Sequence, residues 1–305
     1  MEKNKSSNIN NEKSKMAHFP FFIYFFVILT IGIGRGSSFL FVHTGLEYAH
    51  PVNVITWRLI FAGIAALIYI LLKYNMNIFY NLKSYFAPSL ILSLAGIIIP
   101  FYLTAYGQVY VESGVAGVLT ATTPIIGAVI IALHTKTKVT SLKYLIIGFI
   151  GVSLICINRG LNYSYYVGIV LIIGSAVSYA INNVLIGNIK SDLIDKKLLA
   201  CIVLIVSSII SFIISIFFVD ENIIPSIEIV QIGAILGLFC TTIPVILLFH
   251  AINKYGAVRG SIAGYLLPIV SLFLGVTFLN EEFIWIQGFG IFAILVAIYG
   301  YAKNK

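Results

Sequence analysis

Two arginines stand in stretches of sequence where a charge is expensive. Arg35 lies inside the apolar run Phe19–Val42, and Arg58 inside Val52–Leu72. A guanidinium at the centre of a hydrocarbon layer costs about 2.5–3.5 kcal/mol on insertion scales, so such a residue is expected to face protein or water. Its planar fork can hold a carboxylate or phosphate through two parallel hydrogen bonds. Arg35 falls about 24 Å of helical rise into its run, in the far half. It either contacts a solute, or snorkels outward or pairs with Glu47 or Glu112. Arg58 reads as structural, capping carbonyls or pairing near the outer surface.

Polar and aromatic groups recur in other apolar runs: Ser37 and Ser38; Tyr102, Thr104, Tyr106 and Gln108; Thr120 and Thr123; Tyr179, Asn182 and Asn183; Thr241 and Thr242; Tyr265. Tyr179 and Asn182 or Asn183 are three or four residues apart and share one face of a helix. The candidate solute-binding set is Arg35, Ser38, Tyr102, Tyr106, Thr120, Tyr179, Asn182, Asn183 and Tyr265. Against each single Ser or Thr stands a plainer role as glue between helices, at about 0.6 kcal/mol per contact. No P-loop, glycine-rich dinucleotide fingerprint, zinc-type His/Cys spacing or nucleophile with a base is present, so neither an enzyme nor a cofactor or metal is expected. No Asp or Glu lies well inside a run, and His43 and His250 fall at run ends. Uniport, exchange and proton antiport therefore all stay open.

The elements that hold these residues follow from composition. The chain has 60% hydrophobic and 10% charged residues and a mean hydropathy of +1.02, far from the roughly 25% charged of soluble domains. A bilayer core needs about 20 apolar residues per helix. Ten runs are read as spans: Phe19–Val42, Val52–Leu72, Ala87–Gly107, Ser113–Leu133, Leu142–Ile157, Tyr166–Gly187, Leu198–Val219, Val230–Phe249, Val258–Leu279 and Phe283–Tyr301. Runs such as Leu198–Phe218 do not alternate apolar with polar residues, which sets aside a membrane β-barrel. The three cysteines, Cys156, Cys201 and Cys240, fall in or at the edge of spans and suggest neither disulfides nor metal.

The +8 net charge could suggest nucleic acid, but its placement points to the lipid bilayer instead. With the amino terminus inside, one side carries Lys3, Lys5, Lys13 and Lys15; Lys73 and Lys83; Lys136, Lys138 and Lys143; Lys190, Lys196 and Lys197; Lys254 and Arg259; and Lys303 and Lys305. The other side carries only Arg159. This positive-inside bias predicts a multi-pass protein of the cytoplasmic (inner) membrane with both termini cytoplasmic, and no nucleic-acid partner.

A shift of 144 residues brings Ile99-Pro100-x-x-Leu103 onto Ile243-Pro244-x-x-Leu247, Pro124-Ile125 onto Pro268-Ile269, and the Arg35–Ser38 segment onto Tyr179–Asn182. The reading is a cytoplasmic tail (1–18) followed by two five-helix repeats, 19–157 and 166–301. An odd number of spans per unit forces the second to be inverted, the usual plan of secondary transporters, with the solute between the halves. Pro100, Pro124, Pro244 and Pro268 each remove a backbone hydrogen bond, so they are candidate hinges or cavity-lining breaks, or else permanent packing bends.

These residues resemble the EamA family of the drug/metabolite transporter superfamily over nearly the whole chain after the tail. The first copy is similar in Arg35-Gly36-Ser37-Ser38-Phe39, Arg58-Leu59, and Ser113-Gly114-Val115-Ala116 leading to Thr123-Pro124. The second is similar in Ser178-Tyr179-Ala180, Tyr255-Gly256-Ala257-Val258 leading to Leu267-Pro268, and Leu279-Asn280-Glu281-Glu282. Family members commonly carry Trp where Arg35 and Tyr179 stand, and an acidic residue after the fourth helix, where His134-Thr135-Lys136-Thr137-Lys138 stands here. The resemblance implies a central cavity lined by spans 1, 3, 4, 6, 8 and 9, with spans 5 and 10 peripheral and available for a homodimer contact. It further implies a secondary transporter, an exporter by family habit, of small polar metabolites such as amino acids or their derivatives, working by alternating access. The alternatives are an uptake carrier or exchanger for a nucleotide-like or phosphorylated metabolite, and a non-transporting scaffold or receptor subunit. The last expects a dry, Leu/Ile-filled centre.

Overall fold

Where no water can pair with the backbone, a spanning segment must satisfy its own N–H and C=O groups, and the helix does so locally. The computed structural model describes residues 21–74, 83–135, 142–156, 163–189, 194–218, 226–260, 263–264 and 266–303; among them all regular structure is helical. In chain order the helices are α1 (Phe21–Leu46), α2 (Pro51–Lys73), α3 (Lys83–Gln108), α4 (Ser113–Thr120), α5 (Thr123–Thr135) and α6 (Leu142–Cys156). They continue with α7 (Tyr163–Asn188), α8 (Lys196–Phe218), α9 (227–260), α10 (Leu267–Phe278) and α11 (Trp285–Lys303). Six stretches among the described residues are long and apolar enough to cross a membrane: Phe26–Leu46, Pro51–Lys73, Lys83–Gln108, Tyr163–Asn188, Lys196–Phe218 and Ile227–Ile252.

Helix starts follow from local chemistry. Pro51 opens α2, where its missing N–H would have no helical partner anyway. Asp195 precedes α8 and accepts from the Lys197 N–H at 2.8 Å, as an N-cap does. Its other oxygen accepts from the Tyr74 hydroxyl at 2.8 Å, tying the end of α2 to the start of α8. Burial, then the Asp195 carboxylate, hold the Tyr74 phenol above its ordinary value, so it stays a donor. At α4 the cap comes from the far end of the sequence: the Glu281 carboxylate accepts from the N–H groups of Ser113 (2.7 Å) and Gly114 (2.9 Å). A negative charge there also meets the positive end of the helix dipole.

The four landmark prolines act in two ways. α3 consists of Lys83–Ser93, a π turn at Leu94–Ile98, and Ile99–Gln108; α9 consists of Ile227–Gly237, a π turn at Leu238–Thr242, and Ile243–Gly260. The π turns sit 144 residues apart, each just before its proline. A proline in an ordinary helix collides with the carbonyl four residues back. The wider turn relieves this by letting Ile99 N–H reach Leu94 O and Ile243 N–H reach Leu238 O. In that register Pro100 would serve Ala95 O but has no proton to give, and the Ser178 hydroxyl donates to it instead at 2.7 Å. In the second turn Thr241 and Thr242 donate to Leu236 O and Gly237 O at 2.7 and 2.9 Å.

Pro124 and Pro268 instead begin new helices, each in second position after a break. The expected span Ser113–Leu133 is therefore two helices interrupted at 121–122. The expected Val258–Leu279 is likewise divided: α9 continues through the anticipated 250–257 loop to Gly260, and α10 starts at Leu267. Pro124 and Pro268 have no N–H for the carbonyls four residues back, Thr120 O and Gly264 O, which places both breaks; the Thr123 hydroxyl donates to Thr120 O instead.

Packing repeats the sequence offset. α1 packs on α9 and α10, and its equivalent α7 on α3 and α5; α2 packs on α9, and its equivalent α8 on α3. α2 and α8 pack on each other, as do α6 and α11. Each such pair joins repeat equivalents and runs antiparallel. Thr56 meets Ser211 while Gly63 meets Ser208 and Leu204. Gly148 meets Ala297 while Gly151 meets Gly290 and Ile294.

Close approach depends on bare backbone at a few points. A Cβ on Gly237 would lie 2.6 Å from Arg58 O and 2.6 Å from the Phe61 Cβ, leaving α9 no room against α2. Gly237→Ala is expected to cost about 1–3 kcal/mol by overpacking. Gly127→Ala, whose Cβ would have Ala180 Cβ at an ordinary 3.8 Å, should be neutral or mildly stabilising. Thermal unfolding of the detergent-solubilised variants checks the contrast.

Candidate functional site

Arg35 sits on α1 where that helix is held between α9 and α10. A Cβ on neighbouring Gly34 would fall 2.7 Å from the Pro244 Cγ and 2.8 Å from Phe239 O, so the contact locks the rotation of α1. That rotation aims Arg35 at α7, its guanidinium 4.7 Å from the centre of the Tyr179 ring. Arg35 and Tyr179 are repeat equivalents. Tyr179 meets Phe101 edge to face at 6.4 Å, and Phe101 in turn lies 3.8 Å under the guanidinium of Arg58. The result is a run of cation, ring, ring and cation drawn from α1, α7, α3 and α2.

Arg58 is buried, and its Nε donates to the Thr241 hydroxyl at 2.7 Å. A desolvated cation over a ring is worth about 2 kcal/mol, and a hydrogen bond involving a charged group about 1.5–3 kcal/mol. Together these are of the size of the insertion cost. Thr241 belongs to the second π turn, so the distortion that accommodates Pro244 also presents a partner to a charge on another helix. Arg58 is thus neither at the surface nor paired with a carboxylate.

These groups wall a cavity of about 770 Å³, counting its open mouth, between the two copies. It is lined from α1, α3, α4, α7, α9 and α10, with Arg58 and Val203 added from α2 and α8. Its interior leaves room for about three water molecules. A second space of about 350 Å³, beside the broken helices at Thr123, Pro124 and Gly264, shares Arg35, Thr120, Asn183, Leu248 and Leu267 with the first.

Of the residues expected to bind solute, Arg35, Ser38, Thr120, Tyr179, Asn182 and Asn183 line the main cavity. Ser38 and Thr120 donate back to Arg35 O and Ala116 O, at 2.7 and 2.8 Å. The Asn182 amide stacks against the bare backbone of Gly96, where any Cβ would collide with it, and its Oδ1 is buried without a partner.

Tyr102 and Tyr106 do not line this cavity. Tyr102 faces α8 and hydrogen-bonds Ser211 at 2.8 Å, and Tyr106 is exposed at the helix edge near His50. The face of α3 that lines the cavity carries Phe101, Thr104 and Gln108, spaced by three and four; residues two apart point to different sides of a helix. Tyr265 lies outside the described residues. Phe101, Gly96 and Cys240 line the cavity without having been singled out for it; Phe101 carried a signal in standing next to Pro100.

A helical bundle in two related copies around a cavity that sets two arginines among apolar walls is the plan of a membrane transporter. The chain belongs to the EamA-like transporter family, which matches residues 22–159 and again 166–302. No curated protein sequence matches it. Among solved structures 28 chains match. One, titled only as the crystal structure of a protein, superposes with a TM-score of 0.63 at 12% identity, over 92% of this chain and 97% of that one. That likeness is one of fold.

Thr241→Val removes the partner of a buried charge and is expected to lower stability by about 1–3 kcal/mol. Thr241→Ser, which keeps the hydroxyl, should restore most of the loss. Thermal unfolding of the two variants side by side reads the difference.

Proposed function

We propose that the chain is a secondary transporter that exports small polar metabolites, with amino acids and their derivatives as the substrate class, by alternating access across the cytoplasmic (inner) membrane. The observation that carries this reading is the meeting of Arg35 with its repeat equivalent Tyr179 on the wall of one cavity, 4.7 Å from guanidinium to ring centre. A solute carboxylate held there touches both copies at once. Two related halves can exchange shapes, so a site between them can be offered to either side in turn.

The full arrangement in this reading is ten spans in two inverted five-helix copies with both termini cytoplasmic. Support comes from the antiparallel packing of equivalent helices, α2 on α8 and α6 on α11, and from the one-sided placement of Lys and Arg. The bends at Pro100 and Pro244 and the breaks at Pro124 and Pro268 are the hinges on which the halves rock. Export follows family habit. A homodimer, if formed, would meet through the peripheral pair α6 and α11.

A carrier for phosphorylated solutes is the second reading, favoured by two arginines in a cavity with no Asp or Glu among the described residues of its lining. A scaffold without transport expects a dry centre, which a cavity lined by Arg35, Asn182 and Gln108 does not resemble.

Flux in proteoliposomes tests the proposal. Arg35→Ala is expected to reduce amino-acid flux at least ten-fold, about 1.4 kcal/mol or more, while Arg35→Lys keeps part of it. If Arg35→Ala leaves the flux of amino acids and of phosphorylated solutes alike unchanged, Arg35 does not hold the solute.

A further inference from the structure

Two features of the cavity exceed what a single carboxylate needs. The first is the second guanidinium. Arg58 lines the cavity, its Nε taken by Thr241 and one face covered by Phe101, and its Nη groups have no hydrogen-bond partner among the described residues. Arg35 lines the same space over Tyr179. Among the described residues no Asp or Glu lines it to balance the two charges. The ring and the Thr241 hydroxyl offset the cost of insertion but leave the Nη donors of Arg58 without an anionic acceptor.

The second feature is a set of oxygens. Thr104 Oγ1, Gln108 Oε1 and Asn182 Oδ1 are buried, unpartnered and on residues that line this cavity. The Gln108 amide has its orientation settled, because Nε2 donates to Phe39 O at 2.9 Å and leaves Oε1 as the free end. Folded proteins rarely leave buried acceptors unpaired, and Thr104 and Gln108 stand one turn apart on the cavity face of α3; Asn182, seated on Gly96, lies about three turns away. An ammonium group, with three donors and no acceptor, is the chemical complement of such a pair.

An anion alone would leave the oxygens unpaired, and a cation alone would leave the guanidiniums unpaired. The guanidiniums lie on two different rings whose centres are 6.4 Å apart, an arrangement for two separate anionic groups. The amino-terminal end of α10, at Leu267, borders the same space and adds partial positive charge.

Within the transporter reading above, on which this rests, we infer that the solute is an acidic amino acid: Arg35 and Arg58 each receive one carboxylate, and the oxygens of Gln108 and Thr104 receive the ammonium. Arg58 then sets specificity, since neutral amino acids offer it nothing charged.

Exchange of labelled L-glutamate in proteoliposomes of the full chain, with unlabelled L-glutamate or L-glutamine as competitor, is the test. The two differ only in one carboxylate replaced by an amide. Glutamine is expected to compete at least about ten-fold more weakly, and Arg58→Gln should bring the two competitors close to parity. Equal competition by the wild type overturns the inference and leaves the transporter of amino acids standing, as does carriage of glutamine without glutamate. Carriage of neither overturns both. The wild-type comparison decides even where Arg58→Gln does not fold.

Discussion

A guanidinium inside an apolar protein must be surrounded by something other than hydrocarbon, and much of this chain's centre is arranged around meeting that demand twice. Arg58 is met by a ring from α3 and a hydroxyl from α9, Arg35 by a ring from α7. Each solution recruits helices from both copies, so the charges bind the two halves of the molecule together where they face the cavity. Removing any one partner would leave a cation that the remaining contacts do not cover.

Backbone chemistry serves the same end. Pro100 and Pro244 cannot donate, and the π turns before them free carbonyls and reorient side chains. One freed carbonyl, Ala95 O, receives Ser178 from the helix that also carries Tyr179. The other turn delivers Thr241 to Arg58. A defect repeated at a spacing of 144 residues is thereby used in each copy to join helices across the interface. The breaks at 121–122 and before Leu267 add helix ends beside the second space. At another point Glu281 reaches back to cap α4, another tie between the copies.

What the sequence made legible was periodic or charged. The all-helical class, the repeat offset and the equivalence of Arg35 and Tyr179 under it all followed from composition and landmark prolines; that the two touch did not. The rotation of each helix was not legible. Tyr102 and Tyr106 looked as suitable as Thr104 and Gln108 because spacing alone does not say which side of α3 faces the other copy. Arg58 was expected near the outer surface because its partner, Thr241, is 183 residues away. The cap on Ser113 from Glu281, 168 residues on, was hidden for the same reason. Long-range partners are set by how helices dock, and docking depends on side-chain fit at many places at once. The continuous helix through 250–257 departs from expectation too: polar residues there suggested a loop, but they include no proline, and Gly256 alone costs a helix only about 1 kcal/mol.

The central claim is that the cavity between the copies opens alternately to the two sides. Asn183 borders both spaces, so a single cysteine placed there, in a chain whose own Cys156, Cys201 and Cys240 are replaced, reports on both routes. A membrane-impermeant maleimide added to right-side-out or to inside-out vesicles should label Asn183→Cys in both, at rates that a transported solute slows. Labelling from one face alone, or from neither, would contradict alternating access through this cavity.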